Sequence, residues 1–535
     1  MSSCTLVSNC TDVVPRKTFW PFLKIKRNRK YVKRVRSITK SQSLKGSKYE
    51  TRRFFASTSV MGPGHIIRSK GKLKMFWISI FILCTSFFIV QSCLLMAIYL
   101  SKPTVSKISI VSKEEGLIFP SITFCNFNPI RYSYVDRLNK TGLFSTKLLD
   151  YISMSLIEIP DLMNLADYKD LMDGQRELEK YANYINETFS INDFIFDAGF
   201  ECGEMLRICS LGGQEFNCCS AAKPVLTKNG KCYEINLNSS HNEQLHNPVR
   251  PGIDNGLMII ADYHSEEQLF VDTDIAEESL FGDIFQKGFR YSMHEKKEGN
   301  PFASEDSTAS PGTRVFTALD VEFNKLLENN DWGNCTNNWP LEYEDKREYS
   351  SKNCKTVCRA KYFNDSCGCA PYAYNIDGKY VVCTPFQLYN CIKKDKKFPN
   401  KNVVLPSCEE CGSDCESWIY SAYNSYGGDF PTEALYKLAG RNKSWTPDFI
   451  KNNFVAVNIF LKDNSYTYYE QLKATTLSEV LSNIGGSMGL FLGMNIFSVG
   501  EIYIYLLRIC WVCVSKRRRK EIIKKRNRSS SQITV

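Results

Sequence analysis

Within the 535 residues, one apolar stretch carries residues that a plain membrane anchor would not need. From Leu477 the chain reads LSEVLSNIGGSMGLFLGMNIFSVGEIYIYLLRICWVCV, and Gly485, Gly486, Gly489, Gly493 and Gly500 crowd it. Glycines allow close helix approach, or local unwinding where backbone lines a water-filled path. A helix-packing face accounts for the glycines alone. Asn495 and Glu501 require more, because polar and ionisable groups inside a span are costly and face a bundle interior or water. One span cannot enclose a path, so several copies must meet around an axis. Rings of backbone carbonyls and side chains would then select ions. Gly493-Met494-Asn495 is the expected constriction, with Glu501 as an acidic ring below it.

Cysteine is the second unusual feature. Of 22 cysteines, sixteen lie between residues 101 and 477: Cys125, Cys202, Cys209, Cys218, Cys219, Cys232, Cys335, Cys354, Cys358, Cys367, Cys369, Cys383, Cys391, Cys408, Cys411 and Cys415. An even set of this size suits up to eight disulfides in an oxidising compartment. Zinc is the rival for Cys367-Gly-Cys369 and Cys408-x-x-Cys411, but outside a cell disulfides are favoured. Cys354 and Cys358, four apart, share one face of a helix. Glycosylation sequons in the same region are Asn139, Asn186, Asn238, Asn334, Asn364 and Asn442. The chain has no G-x-S-x-G, no phosphate-binding G-x-x-x-x-G-K-S/T and no H-E-x-x-H, and His294-Glu295 lacks a second histidine. No catalytic constellation is present, so we expect no enzyme, no cofactor and no resident metal.

The elements that must position these residues follow from charge and hydropathy. Met75 to Leu100 is 26 residues without a charge, long enough to cross a bilayer with some tilt. It starts too late and runs too long for a signal peptide. Val480 to Gly500 is a second uncharged run of 21 residues. Residues 1–74 hold 19 Lys or Arg against Asp12 and Glu50, and residues 516–535 hold nine against Glu521. The total is +11, so residues 75–515 carry a net −14. Basic flanks stay cytosolic, which places both termini inside and the acidic middle outside. The positive total therefore reports topology, with contact to anionic lipid as a second role; nucleic acid is not implied. A hydrophobic share of 43% and mean hydropathy of −0.28 exclude both a disordered chain and a many-span protein.

The expected division is a basic N-terminal region, 1–74; a first span, 75–100; a cysteine-rich extracellular domain, 101–477; a pore-lining second span, 478–514; and a basic tail, 515–535. The fold class is α+β. Asp136 to Asn186 is helix-rich by pattern, Phe454 to Phe460 has strand composition, and Thr384-Pro385 opens a helix as cap and first residue. Pro431 to Ala439 reads as a helix closed by Gly440. Gly62-Pro63-Gly64 reads as non-helical. The terminal Ile533-Thr534-Val535 fits either a PDZ groove or a frayed tail.

With these residues in view, the chain resembles the degenerin/epithelial sodium channel/acid-sensing ion channel superfamily over almost its whole length. Phe119-Pro120-Ser121-Ile122-Thr123-Phe124-Cys125-Asn126 is similar to its F-P-x-x-T-x-C-N motif. Gly230-Lys231-Cys232-Tyr233, Asn255-Gly256-Leu257, the ten cysteines 335–415 and the run Ser482 to Gly493 match further signatures. The resemblance implies two transmembrane helices flanking an extracellular domain of palm, thumb, finger and knuckle. It also implies a homo- or heterotrimer in the plasma membrane, permeant sodium and block by amiloride-type compounds. Ser482 falls at the position whose enlargement locks related channels open. The pairs implied are Cys125–Cys232, Cys202–Cys209, Cys335–Cys415, Cys354–Cys411, Cys358–Cys408, Cys367–Cys391 and Cys369–Cys383, leaving Cys218 and Cys219 over. Two positions depart from the pattern: Asn495 replaces the filter's hydroxyl residue, and Met61-Gly62 stands where a His-Gly motif forms the pre-span pore loop.

Members of this family open to protons, neuropeptides, mechanical load or constitutively. The segment Ser101 to Ile118 has no histidine, the side-chain switch near neutral pH. The expectation is therefore an extracellular ligand such as a short amidated peptide, a basic one suiting the acidic domain. The alternatives are a proton-gated or constitutively open member, an ATP-gated trimer of similar topology, or a non-conducting surface receptor or scaffold.

Overall fold

The computed structural model describes residues 47–140, 142–186, 188–239, 245, 248–268, 287–298, 306–343, 347–375, 378–394 and 405–514. The basic stretch 1–46 and the tail 515–535, with Ile533-Thr534-Val535, lie outside the described residues. The chain divides into two units, one formed by residues 102–474 and the other by its two flanks.

Residues 102–474 build an α+β domain. Its strands are β1 (Thr104–Ser112), β2 (Ser121–Asn126), β3 (Leu206–Leu211), β4 (Gln214–Phe216), β5 (Ala222–Thr227), β6 (Gly230–Ile235), β7 (Leu257–Asp262) and β8 (Phe289–His294). They continue with β9 (Ser307–Ala309), β10 (Arg314–Lys325), β11 (Cys335–Thr336), β12 (Ser413–Asp414), β13 (Glu416–Gly427), β14 (Phe454–Leu461) and β15 (Ser465–Lys473). The main sheet runs β1-β15-β10-β14-β7-β3-β4, with β13 also on β10; a second sheet runs β5-β6-β2-β8-β9. β10 organises the first sheet. One edge pairs antiparallel with β13 along its full length, and the other is shared by β14 and β15, both parallel. Alternate β10 residues, Val315, Thr317, Leu319 and Val321, are buried, the period of a strand with one face on a core. That core joins both sheets: Ile122, Phe124, Phe289 and Tyr291 of the second lie in one cluster with Leu257, Ile259, Val457 and Ile459 of the first. β14 covers the expected strand 454–460, and all six residues of β2, including the motif Thr123-Phe124-Cys125-Asn126, are buried.

Helices form a second core. Tyr132–Asn139, Thr146–Ser153, Ile159–Leu165 and Tyr168–Ile185 fill the expected helix-rich region. They bury Phe144, Leu148, Ile152 and Leu171 together with Phe363 and Leu388 of the helices Ser351–Cys367 and Pro385–Lys394. The last helix begins as its sequence implied: Thr384 Oγ1 accepts from the Gln387 N–H at 3.3 Å, and Gln387 Oε1 accepts from the Thr384 N–H at 3.1 Å. The helix Thr432–Ala439 is likewise followed by Gly440.

Eight disulfides tie this unit. Cys125–Cys232, Cys335–Cys415, Cys354–Cys411, Cys358–Cys408, Cys367–Cys391 and Cys369–Cys383 are the pairs the resemblance implies. The seventh implied pair is corrected: Cys202 bonds to Cys219 and Cys209 to Cys218, so no cysteine is left over. The cause is the β3–β4 hairpin, which sets Cys209 opposite Phe216 and returns the chain beside it. The Asn217 side chain then caps a 3-10 turn at Cys218–Ser220 by accepting from the Cys219 N–H at 3.0 Å. Adjacent cysteines in that turn reach two different partners. Bridging also removes the zinc reading, because Cys367, Cys369, Cys408 and Cys411 offer no thiolate. Five sequon asparagines, 139, 186, 238, 334 and 442, are exposed; Asn364 is half-buried.

The flanking unit is helical. It contains a helix over residues 47–57, then Met61–Arg68, Lys72–Leu100, Leu477–Leu492 and Ile496–Val514. Among the described residues, Lys72–Leu100 alone is long and apolar enough to cross a membrane as a single helix; its 29 residues include no buried side chain. Met61-Gly62-Pro63-Gly64 is helical, against the expectation of an irregular segment. Pro63 sits in the first turn, where a missing N–H takes no intrahelical bond away.

Candidate pore and gating site

The glycine-rich stretch is not one continuous helix. Thr476 starts Leu477–Leu492 with a capping box: its hydroxyl accepts from the Glu479 N–H at 3.3 Å, and Glu479 Oε2 accepts from its own N–H at 2.7 Å. The helix ends at Gly493, left-handed with φ 60°, whose N–H returns to Gly489 O at 3.0 Å. Glycine takes that conformation without the Cβ clash that other residues meet. After Met494 and Asn495 the chain restarts as Ile496–Val514, bent by 78° from the first helix. The break thus falls on the residues expected to form the constriction.

Asn495 restarts the helix. Its Oδ1 accepts from the Ser498 N–H at 3.0 Å, while the Ser498 hydroxyl accepts from the Asn495 N–H at 3.3 Å. This reciprocal arrangement satisfies backbone groups that a helix start leaves open. The signal was present in the sequence as Asn-x-x-Ser, a cap spacing; Ser498, fully buried, was missed.

Ser482, Gly485, Gly486, Gly489 and Gly493 recur at intervals of three and four, so the helical period puts them on one face. All five are exposed in the chain. No neighbouring atom lies within 4 Å of a Cβ built at Gly485 or Gly486. The face therefore receives no packing from the chain's own first span, which the helix meets elsewhere, for example through Phe87 and Phe491 with ring centroids 6.1 Å apart.

Glu501, the expected acidic ring residue, is held by the segment ahead of the first long helix. Its Oε2 accepts from the Thr58 hydroxyl at 3.0 Å, the Ser59 N–H at 2.9 Å and the Ser59 hydroxyl at 3.2 Å. The Ser59 hydroxyl also lies 2.7 Å from that of Ser498. One turn further, Tyr505 stacks on Phe54 with centroids 4.3 Å apart, and its hydroxyl lies 2.8 Å from Thr51 Oγ1. The pre-span segment is therefore fastened to the inner half of the broken stretch. Thr51, Thr58 and Ser59 carried no sequence signal beyond being hydroxyl residues ahead of a span. Met61 and Gly62 follow directly. A Cβ at Gly62 would come 2.2 Å from the Phe81 ring, so glycine is what lets this turn lie on the first span.

The disulfide-rich unit holds titratable groups that burial has moved. Asp306, 3.6 Å from Arg290, is pushed up to about 6 by burial, which outweighs the Arg290 and Lys228 charges. Burial also raises Glu295 and Asp262, although Lys297 lies 3.2 Å from the first and Arg207 3.0 Å from the second. It lowers His294, whose Nε2 lies 2.9 Å from Thr123 Oγ1. No expected site residue was among the three acids.

The amiloride-sensitive sodium channel family profile matches residues 54–505. Acid-sensing ion channel 2 of Homo sapiens is 27% identical over 465 residues, covering 85% of this chain and 86% of its own. Acid-sensing ion channel 1C of Danio rerio is 28% identical over 416 residues, 77% and 74% of the two chains. Acid-sensing ion channel 1 of Gallus gallus is 27% identical over 443 residues, 82% and 79%. Among solved structures, a proton-activated chloride channel covers 81% of this chain at a TM-score of 0.28 and 7% identity, too low to bear on the fold. The match spans the first span, the disulfide-rich domain and the broken glycine stretch, and the chain belongs to the amiloride-sensitive sodium channel family, a family of ion channels rather than enzymes.

Proposed function

We propose that this chain forms a trimeric, sodium-preferring cation channel of the plasma membrane. It crosses twice, with both termini cytosolic. The carrying observation is the broken helix pair, interrupted at Gly493-Met494-Asn495 on a small-residue face that its own chain leaves uncovered. Three such faces around an axis would line a path, with backbone freed at the break to meet ions. Residues 478–514 are then one bent span. Ser482, Gly485, Gly486 and Gly489 face the path above the constriction. Glu501 couples the pre-span segment at Met61-Gly62 to the inner half. The acidic outer domain attracts cations to its own side of the membrane. Amiloride-type block follows from the family.

The opening signal is an extracellular ligand, in our reading a short peptide. Protonation is the second reading. Asp306 favours it, since a carboxyl raised to about 6 changes charge where a proton sensor works, and the similar chains are named acid-sensing. Whole-cell currents under ion substitution test both. Sodium-carried current evoked by a peptide panel supports the first reading, and current evoked by acid steps alone supports the second. Silence under every stimulus, with protein at the surface, would leave a non-conducting receptor. Asn495→Ser tests the constriction itself. Serine keeps the helix cap and restores the family's hydroxyl, so the sodium-to-potassium permeability ratio should rise; an unchanged ratio removes Asn495 from the filter.

A further inference from the structure

A cavity of about 330 Å³ lies within the disulfide-rich unit, between the Met154–Leu162 stretch, the helix Ser351–Cys367 and the segment from Pro371 to Leu388. It falls at the lower end of small-molecule site volumes. Its charge is opposite to that of the unit as a whole. Lys228, Lys352, Lys355 and Arg359 line it, with Glu158 as the acid. Glu158 is paired with Lys228 at 3.2 Å, and Lys352 with Glu298 at 2.9 Å. Lys355 and Arg359 have no carboxylate within 4.0 Å among the described residues. Positions 352, 355 and 359 share one helix face by spacing, so the positive charge is presented together.

Tyr372, 6% exposed, is among the lining residues, while its hydroxyl is buried behind the cavity surface without a hydrogen-bond partner among the described residues. Arg359 and Ser155 also line it, with Arg359 Nε and Ser155 Oγ buried and unpartnered among the described residues. Buried donors without partners are rare because each loses its water and gains nothing. Burial pushes the Tyr372 phenol up, so it stays protonated and remains a donor. Arg359 also lies 5.6 Å over the Tyr374 ring, which fixes its guanidinium at the wall. The remaining wall is apolar, including Ile159, Leu162 and Leu388.

We infer that this cavity binds a small organic anion, with a carboxylate or phosphate head set against the Arg359 guanidinium and Lys355, and an apolar body filling the rest. A basic peptide does not suit it. The inference goes beyond the channel reading and stands apart from it, because binding can be read without current.

The test is equilibrium dialysis of the full-length protein in nanodiscs. The probes are 3-phenylpropanoate and phenyl phosphate, with 3-phenylpropanamide as neutral control. The expected result is one saturable site per chain, with the amide about tenfold weaker or worse, as loss of a charge-assisted bond implies. Preference between the two anions names the head. Arg359→Gln should weaken binding about tenfold. Should Arg359→Gln fail to fold, Lys355→Gln, exposed and outside the core, reads the same charge. Equal binding of the amide, displacement by sodium chloride at matched ionic strength, or unchanged affinity in Lys355→Gln would overturn the inference.

Discussion

The two units solve the same problem, keeping polar backbone and apolar side chains satisfied, by opposite means. Residues 102–474 close on themselves. Their sheets share one buried core, their helices form another, and eight disulfides fasten both. The flanking helices bury little. Leu490, Ile496 and Phe497 are about four-fifths exposed, and Cys84, Cys93 and Cys510 are unbridged. Their definite contacts are a few hydroxyls around Glu501, an aromatic stack and a tight approach at Gly62. The outer unit is complete within one chain. The helical unit leaves large apolar surfaces that its own chain does not cover.

The contrast can be broken first where the outer unit should be least tolerant. Cys125→Ser opens a bridge between residues 107 apart whose two cysteines are fully buried. A loop of that length implies a loss of about 4–5 kcal/mol, enough to remove most folded protein from the cell surface; normal surface labelling would mean the unit does not depend on its bridges. Ser482→Phe addresses the other unit. A ring on the uncovered face should spare folding, yet hold neighbouring copies apart and give a standing sodium current. Absence of current with surface protein present would put that face outside the pore.

Asp306 sharpens the comparison through pH. Its native pKa is raised above the ordinary aspartate value, so the folded state binds the proton more tightly than the unfolded one. Stability should therefore fall as pH rises from about 4 to about 6, and Asp306→Asn should flatten that part of a thermal-melt profile. A profile identical to the parent's would show that the Arg290 pairing dominates. The smallest effect is expected at Arg441–Glu215, a pair exposed on both sides. Arg441→Ala should change stability by less than about 1 kcal/mol, and a larger loss in denaturant unfolding would make that exposed surface structural.

Much of the outer unit was legible because its signals are local or compositional. Phe454 to Phe460 has strand composition, Thr384-Pro385 caps, and cysteine order gave six bridges through a resemblance. Cys202, Cys209, Cys218 and Cys219 escaped because their pairing is set by a hairpin return that spacing does not encode. The break at Gly493 was foreshadowed by glycine density, and the Asn495 cap by its serine three residues on. The Glu501 clasp was not legible. Its donors, Thr58 and Ser59, lie more than 440 residues away in sequence, and nothing in a lone hydroxyl announces such a partner.

The sequence by itself determined the division of the chain, because charge and hydropathy act on each segment where it stands: basic ends, an apolar stretch, an acidic cysteine-rich middle. It also determined the family, through motifs whose residues are contiguous. Tertiary structure alone decided which cysteine meets which in the hairpin, that Glu501 is bound rather than open, and that an acidic domain contains a basic cavity. Each of these depends on groups brought together across long separations, where bulk charge and local spacing carry no information about the neighbour.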